Sequence, residues 1–278
     1  MFFKILSAFL TFFLLTACST DDNLEINYSL RSDTKLYNEA LNLLKEKEYT
    51  LAHELFNELD LQHPYSRWAT KGQLMSGFAL YKANKYEEAV FALSKFINLN
   101  PNNPNIAYAM YLKAYCYYER ISLVTRDQKV AKKAYESFIE LKRKFPSSKY
   151  AKKSIQHLAL LNNQLAGKEM SIGKFYQERK KFLGAILRYK TILRDYKKSS
   201  QIPEALFRII ECSLSLGIEL QAVRFISVLG YNYPKSQWYI DAFTLAKKYN
   251  LDFKKTSNKI KNKSLDLKNL DLNEFDII

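Results

Sequence analysis

The chain has 278 residues, 26% of them charged, and is long enough to bury a sizeable core. With only 7 Gly and 6 Pro it carries few breakers, and its abundant Lys, Leu, Ala and Glu favour helix over sheet. A net charge of +15 suits a surface that steers acidic partners or anionic lipid headgroups, whereas nucleic acid is set aside because the N-terminus marks the chain for export.

The first residues read MFFKILSAFLTFFLLTAC. Lys4 supplies a short basic region, and Ile5 to Leu15 an apolar run too short to span a bilayer. The run ends in Leu15-Thr16-Ala17-Cys18, small residues before a cysteine, which resembles a bacterial lipobox. That resemblance implies a signal peptide over 1–17, acylation of Cys18 and a lipidated tether over 18–32. An ordinary signal peptide with an incidental cysteine is the alternative. Ser19 follows the cysteine, which by analogy with lipoprotein sorting implies passage to the outer membrane. Cys116 and Cys212 sit in apolar helical patterns and read as buried small hydrophobes, with a disulfide between them left open.

From residue 33 onward the chain repeats. Ala52 and Pro64, Ala89 and Pro101, Ala134 and Pro146, and Ala222 and Pro234 each lie 12 apart. Four residues after each Ala comes a large apolar side chain: Phe56, Leu93, Phe138 and Ile226. A further copy has Ala185 and Tyr189, with Lys197 in the proline position. Twelve residues before Ala52, Ala89 and Ala185 stand Ala40, Gly77 and Gly173, all small. Small residues let two helices approach, the large residue fills the space beside them, and proline ends the second helix. Ser66, Ser148 and Ser236, each two residues past a proline, read as N-caps, and Pro104 as the first residue of its helix. The pattern resembles the tetratricopeptide repeat. It implies an all-α solenoid of about five hairpins (33–65, 69–103, 104–147, 166–200 and 202–235) and a capping helix over 236–249. Long spacings predict a loop near Leu123–Lys129 and an extra or elongated helix over Lys152–Leu165, continuous or not with the helix holding Gly173. Residues 250–278 lose the pattern and read as a disordered tail, with a short docking segment at LDLNEFDII as the alternative.

Within the second and third repeats, FINLNPNNPNIAYAMY (96–111) is similar to the corresponding segment of the BamD family, tetratricopeptide lipoproteins of the outer-membrane β-barrel assembly machinery. Asp127-Gln128, Phe175-Tyr176-Gln177-Glu178-Arg179 and Leu193-Arg194-Asp195-Tyr196 extend the similarity over about 33–235. Lys197 and the Lys/Asn-rich tail depart from it. The resemblance implies a non-enzymatic scaffold without cofactors, lipid-anchored at the periplasmic face of the outer membrane. Implied partners are a BamA-like barrel-forming subunit, held through its periplasmic domains, unfolded outer-membrane proteins, other assembly lipoproteins and outer-membrane lipid. A lipoprotein assisting pilus or cell-wall machinery is the alternative.

The resemblance divides the labour between an N-terminal region, 33–147, receiving client peptides and a C-terminal region, 148–249, docking the assembly partner. Tyr108, Tyr111, Tyr115 and Tyr118 are spaced 3, 4 and 3 and share one helix face. With Tyr37, Lys71, Phe78 and Tyr81 they form a candidate aromatic trough with basic edges. Two readings stand for the tyrosines: a client groove, or packing on neighbouring helices. Tyr117 falls off the stripe. For docking the resemblance implicates Glu178, Arg179, Arg188 and Arg194; a solvated charged face is the alternative. His53, His63 and His157 are scattered without metal-like spacing and read as surface or capping residues.

Overall fold

The computed structural model describes residues 31–251 and 265–267. The signal peptide, Cys18 and most of the tether and tail lie outside the described residues. Eleven helices and no strand occur among those described. They pair as antiparallel hairpins: α1 (Asp33–Lys45) with α2 (Tyr49–Gln62), α3 (Arg67–Lys82) with α4 (Tyr86–Leu99), and α5 (Ile106–Glu119) with α6 (Lys129–Lys144). Then follow α7 (Lys149–Glu178) with α8 (Phe182–Asp195), α9 (Ile202–Ser215) with α10 (Glu219–Asn232), and the closing α11 (Gln237–Lys248). Each helix packs on its sequence neighbours, and first helices of successive hairpins also touch, α1 on α3 and α3 on α5. This is the hairpin stack that the spacing implied.

The repeat residues do the expected packing. Ala52, Ala89, Ala134, Ala185 and Ala222 are fully buried, as are Phe56, Leu93, Phe138 and Tyr189. A Cβ on Gly77 would stand 2.7 Å from Leu93, and one on Gly173 2.3 Å from Tyr189, so only glycine admits these partners. Burying a Phe or Leu of this kind contributes about 2–5 kcal/mol against its truncation. Ser66, Ser148 and Ser236 cap their helices, the hydroxyls accepting from Trp68, Ala151 and Tyr239 amides at 3.1, 3.0 and 3.2 Å. Ser32 caps α1 in the same way.

Three expectations need correction, and one that left two forms open is settled. Pro104 is not the first residue of α5. Asn103 closes a turn, its side chain accepting from the Asn105 amide, and the helix opens at Ile106. The elongated helix expected over Lys152–Leu165 is present and continuous with the helix holding Gly173, α7 running unbroken for 30 residues. Its first half covers hairpin three and its second half pairs with α8. His157 is neither a surface nor a capping residue, because an aromatic cluster encloses it. Finally, residues 265–267 do not follow the tail. Leu265 and Leu267 pack on the core beside α10, where Asn232 donates to the Leu265 carbonyl at 2.7 Å. The expected loop is present between α5 and α6. Gln128 holds it, donating to the carbonyls of Leu123, Val124 and Arg126. Cys116 and Cys212 are buried free thiols, each pushed up to about 12 by burial.

Candidate functional site

α5 presents its tyrosines as a ladder. Tyr111 stacks on Tyr115 at 5.9 Å and Tyr115 on Tyr118 at 5.7 Å, as the 3, 4, 3 spacing requires. Neighbouring first helices close both flanks. From α3, Tyr81 meets Tyr115 edge-on at 5.9 Å and Phe78 lies against Tyr81. From α7, Tyr150 reaches Tyr108 and Tyr111 at 5.2 and 5.7 Å. His157, about two helix turns beyond Tyr150, meets Tyr115 and Tyr118 edge-on and stacks on Phe138 at 5.3 Å. Its Nε2 lies 3.3 Å from the Tyr111 hydroxyl.

Six of the eight expected groove residues therefore join one continuous aromatic surface. The other two are separate. Tyr37 on α1 lies 4.6 Å from Trp68, and Lys71 sits over the same indole with Nζ at 4.4 Å. Every ring of the ladder is half-buried, so each tyrosine packs in its own chain and still offers an edge to solvent. Tyr117 lies apart, beneath Lys133 of α6. Burial raises Tyr108 to about 12, and a hydrogen bond to Glu119 followed by burial raises Tyr115 further. Both hydroxyls thus remain neutral donors at neutral pH.

The docking residues do not form one cluster. Glu178 and Arg179 stand at the turn between α7 and α8, Arg179 over the Phe175 ring at 3.5 Å. Arg188 lies midway along α8 and pairs with Glu169 of α7 at 3.2 Å. Arg194 lies in the last turn of α8, about 18 Å by helix rise from that helix's first residue, and makes a two-point pair with Asp195 at 2.9 and 3.0 Å. What joins them is apolar: Leu183 and Leu187, 47% and 64% exposed, lie one turn apart on α8 beside Arg188. The exposed leucine pair and the guanidinium held by Glu169 give this face apolar area beside a placed charge.

Trp68, Tyr150 and His157, with Leu183 and Leu187, were missed as site residues. Trp68 and Tyr150 carried a signal, the aromatic just inside each capping serine. For His157 no local signal existed, because its partners lie about 40 residues away.

A stack of helical hairpins with an aromatic trough on its first helices and an apolar, arginine-bearing face on α8 is the build of a helical-repeat scaffold protein. A family profile described as "Outer membrane lipoprotein" (YfiO) matches residues 30–229. Outer membrane protein assembly factor BamD of Rickettsia prowazekii is 44% identical over 214 residues, covering 77% of this chain and 85% of that protein. The BamD proteins of Caulobacter vibrioides and Neisseria meningitidis serogroup A are 39% and 31% identical, covering 78% and 82% of this chain and 72% and 91% of those proteins. The chain belongs to this BamD family of outer-membrane lipoproteins.

Proposed function

We propose that this chain is a non-enzymatic, lipid-anchored scaffold on the periplasmic face of the outer membrane, where it promotes the insertion of β-barrel proteins. Membership of a family whose relatives are named assembly factors carries the reading. In it, the aromatic surface built on Tyr81, Tyr108, Tyr111, Tyr115 and Tyr118 receives unfolded outer-membrane proteins. Its half-buried rings support this, since each offers an apolar edge and a neutral hydroxyl at low entropic cost. Lys71, held on Trp68, stands ready for a terminal carboxylate. The α8 face of Arg188, Leu183 and Leu187 docks the barrel-forming subunit, with Cys18 as the anchor.

Affinity purification of the full chain from detergent-extracted membranes tests this. The barrel-forming subunit co-purifies with the wild type and is lost with Arg188→Glu. Truncating an interface-centre residue typically costs about 2 kcal/mol or more. Full retention by Arg188→Glu overturns the docking face, and absence of the subunit from the wild-type sample overturns the scaffold reading. A photocrosslinker at Tyr111 captures a barrel C-terminal peptide, whereas one at Tyr117 does not.

A further inference from the structure

Where α6, the first half of α7 and the end of α8 meet, they border an open pocket of about 380 Å³. Tyr135, Ile139, Ile155 and Leu158 supply apolar walls. Lys142, Arg194, Lys197 and Lys198 supply four cations, against one carboxylate, Asp195. Asp195 already occupies the fork of Arg194. Lys142, Lys197 and Lys198 have no ion-pair partner among the described residues, so three ammonium groups border the cavity uncompensated.

A second observation is independent of that charge. Asn162, on the cavity wall, is only 6% exposed, and its Nδ2 has no hydrogen-bond partner among the described residues. A buried amide donor left unmade is costly, and an acceptor entering the cavity satisfies it. The segment carrying two of the lysines is also held in place. The next residue of α7, Asn163, accepts from the Ser199 hydroxyl at 3.0 Å and the Ser200 amide at 2.9 Å, which pins the segment carrying Lys197 and Lys198. Lys197 stands where the other hairpins carry proline, so this chain departs from its own repeat at the residue that charges the cavity.

We infer that this cavity is a binding site for a phosphate ester carried on an apolar body, the chemistry of an anionic phospholipid headgroup. Ammonium groups act as point charges suited to a tetrahedral, multiply charged anion. A planar carboxylate would call on the arginine fork, which Asp195 fills. Asn162 donates to one phosphate oxygen, and the isoleucines cover the first methylenes of the ligand. The inference does not depend on the docking face or the aromatic trough.

The test titrates the full chain, held in non-ionic detergent, with dihexanoyl phosphatidic acid, inorganic phosphate and dihexanoyl phosphatidylcholine. Phosphatidic acid binds saturably and more tightly than inorganic phosphate, and phosphatidylcholine does not bind. Lys197→Ala/Lys198→Ala weakens phosphatidic acid about tenfold, and Asn162→Leu does the same. Lys247→Ala/Lys248→Ala on α11, an equal loss of exposed charge, leaves it within about twofold. Equal binding of phosphatidylcholine, or equal binding of inorganic phosphate, overturns the assignment of ligand. An equal loss with Lys247→Ala/Lys248→Ala, or no loss with Asn162→Leu, reduces the cavity to diffuse charge attraction and overturns the site. Tighter binding by an acidic apolar peptide overturns it in favour of a protein ligand.

Discussion

The imidazole of His157 lies flat on Phe138, edge-on to Tyr115 and Tyr118, with Nδ1 buried and unpartnered. Burial lowers its pKa from the ordinary value of about 6.5, the carboxylate of Glu119 opposing weakly. His53 is lowered by the same cause. The folded chain therefore holds fewer protons than the unfolded chain as pH falls below about 6.5, so unfolding gains protons and stability drops. The carboxylates with lowered pKa, Asp33, Glu140 and Asp195, lose their contribution only near and below their ordinary range of about 4, a separate window. The thermal midpoint is thus expected to fall between pH 7 and pH 5. His157→Phe keeps the stack, removes the orphaned nitrogen and flattens that fall, leaving a residual slope from His53. An unchanged slope in the variant would show that His157 charges freely in the fold. At this scale the sequence told half the story. The 3, 4, 3 spacing set four tyrosines on one face, but what faces them, Tyr150 and His157, comes from α7 and only tertiary packing brings it near.

The turns between paired helices share one device. At Lys47, Asn84, Lys180 and Gly217 the backbone takes φ of 67, 59, 58 and 73°. The amide at that residue and the next one bond back to the helix carbonyls, as in Lys180 to Gln177 and Lys181 to Tyr176, both at 2.9 Å. Asn250 ends α11 in the same way. Glycine and asparagine adopt this left-handed conformation readily, whereas lysine carries a Cβ penalty of about 1–2 kcal/mol. Lys180→Gly removes that penalty and loses about 0.5–1 kcal/mol to the freer unfolded chain. A net gain of up to about 1 kcal/mol is expected in denaturant unfolding, and any loss would mean that the lysine side chain holds the turn. The third hairpin lacks the device, because Arg120 to Gln128 form a loop instead. These boundaries were largely legible. Proline, capping serine and the small–small–large triplet mark where most hairpins begin and end, Lys197 being the exception at the fourth. The start of α5 was not legible. A proline after asparagine reads equally as a helix opening or a turn, and the Asn103 side chain decides for the turn.

Across the whole molecule, α7 is the member that does not repeat. Its first half packs on α5 and α6, and its second half supplies the first helix of the α7–α8 hairpin. The irregular spacing from Ala134 to Ala185 announced extra helix, but not whether it would be separate or fused, since Gly167 stands between Lys152 and Gly173 with no proline to force a break there. Fusion has a mechanical consequence. In a stack of hairpins each unit feels only its neighbours, so cooperativity depends on the stiffness of the interfaces between units. Here a continuous backbone ladder spans the boundary between the aromatic trough and the α8 face, joined by the Asn163 bonds to Ser199 and Ser200, the loop contacts of Gln164 and Lys168, and Tyr196, which packs on both cores. Ala159, exposed and near the middle of α7, marks the point to cut. Ala159→Pro removes one helical hydrogen bond and clashes with the preceding turn, costing about 3 kcal/mol or more at that point. The core built on Tyr189 lies wholly after the break, whereas the Phe138 core draws Leu158 from before it and Leu161 and Leu165 from after it. Wild-type unfolding is expected to be a single transition by circular dichroism. In Ala159→Pro it separates into two, with the hairpins before the break and those after it melting apart. A single, merely lowered transition would mean that side-chain packing between α6, α7 and α8, rather than the unbroken helix, couples the two regions.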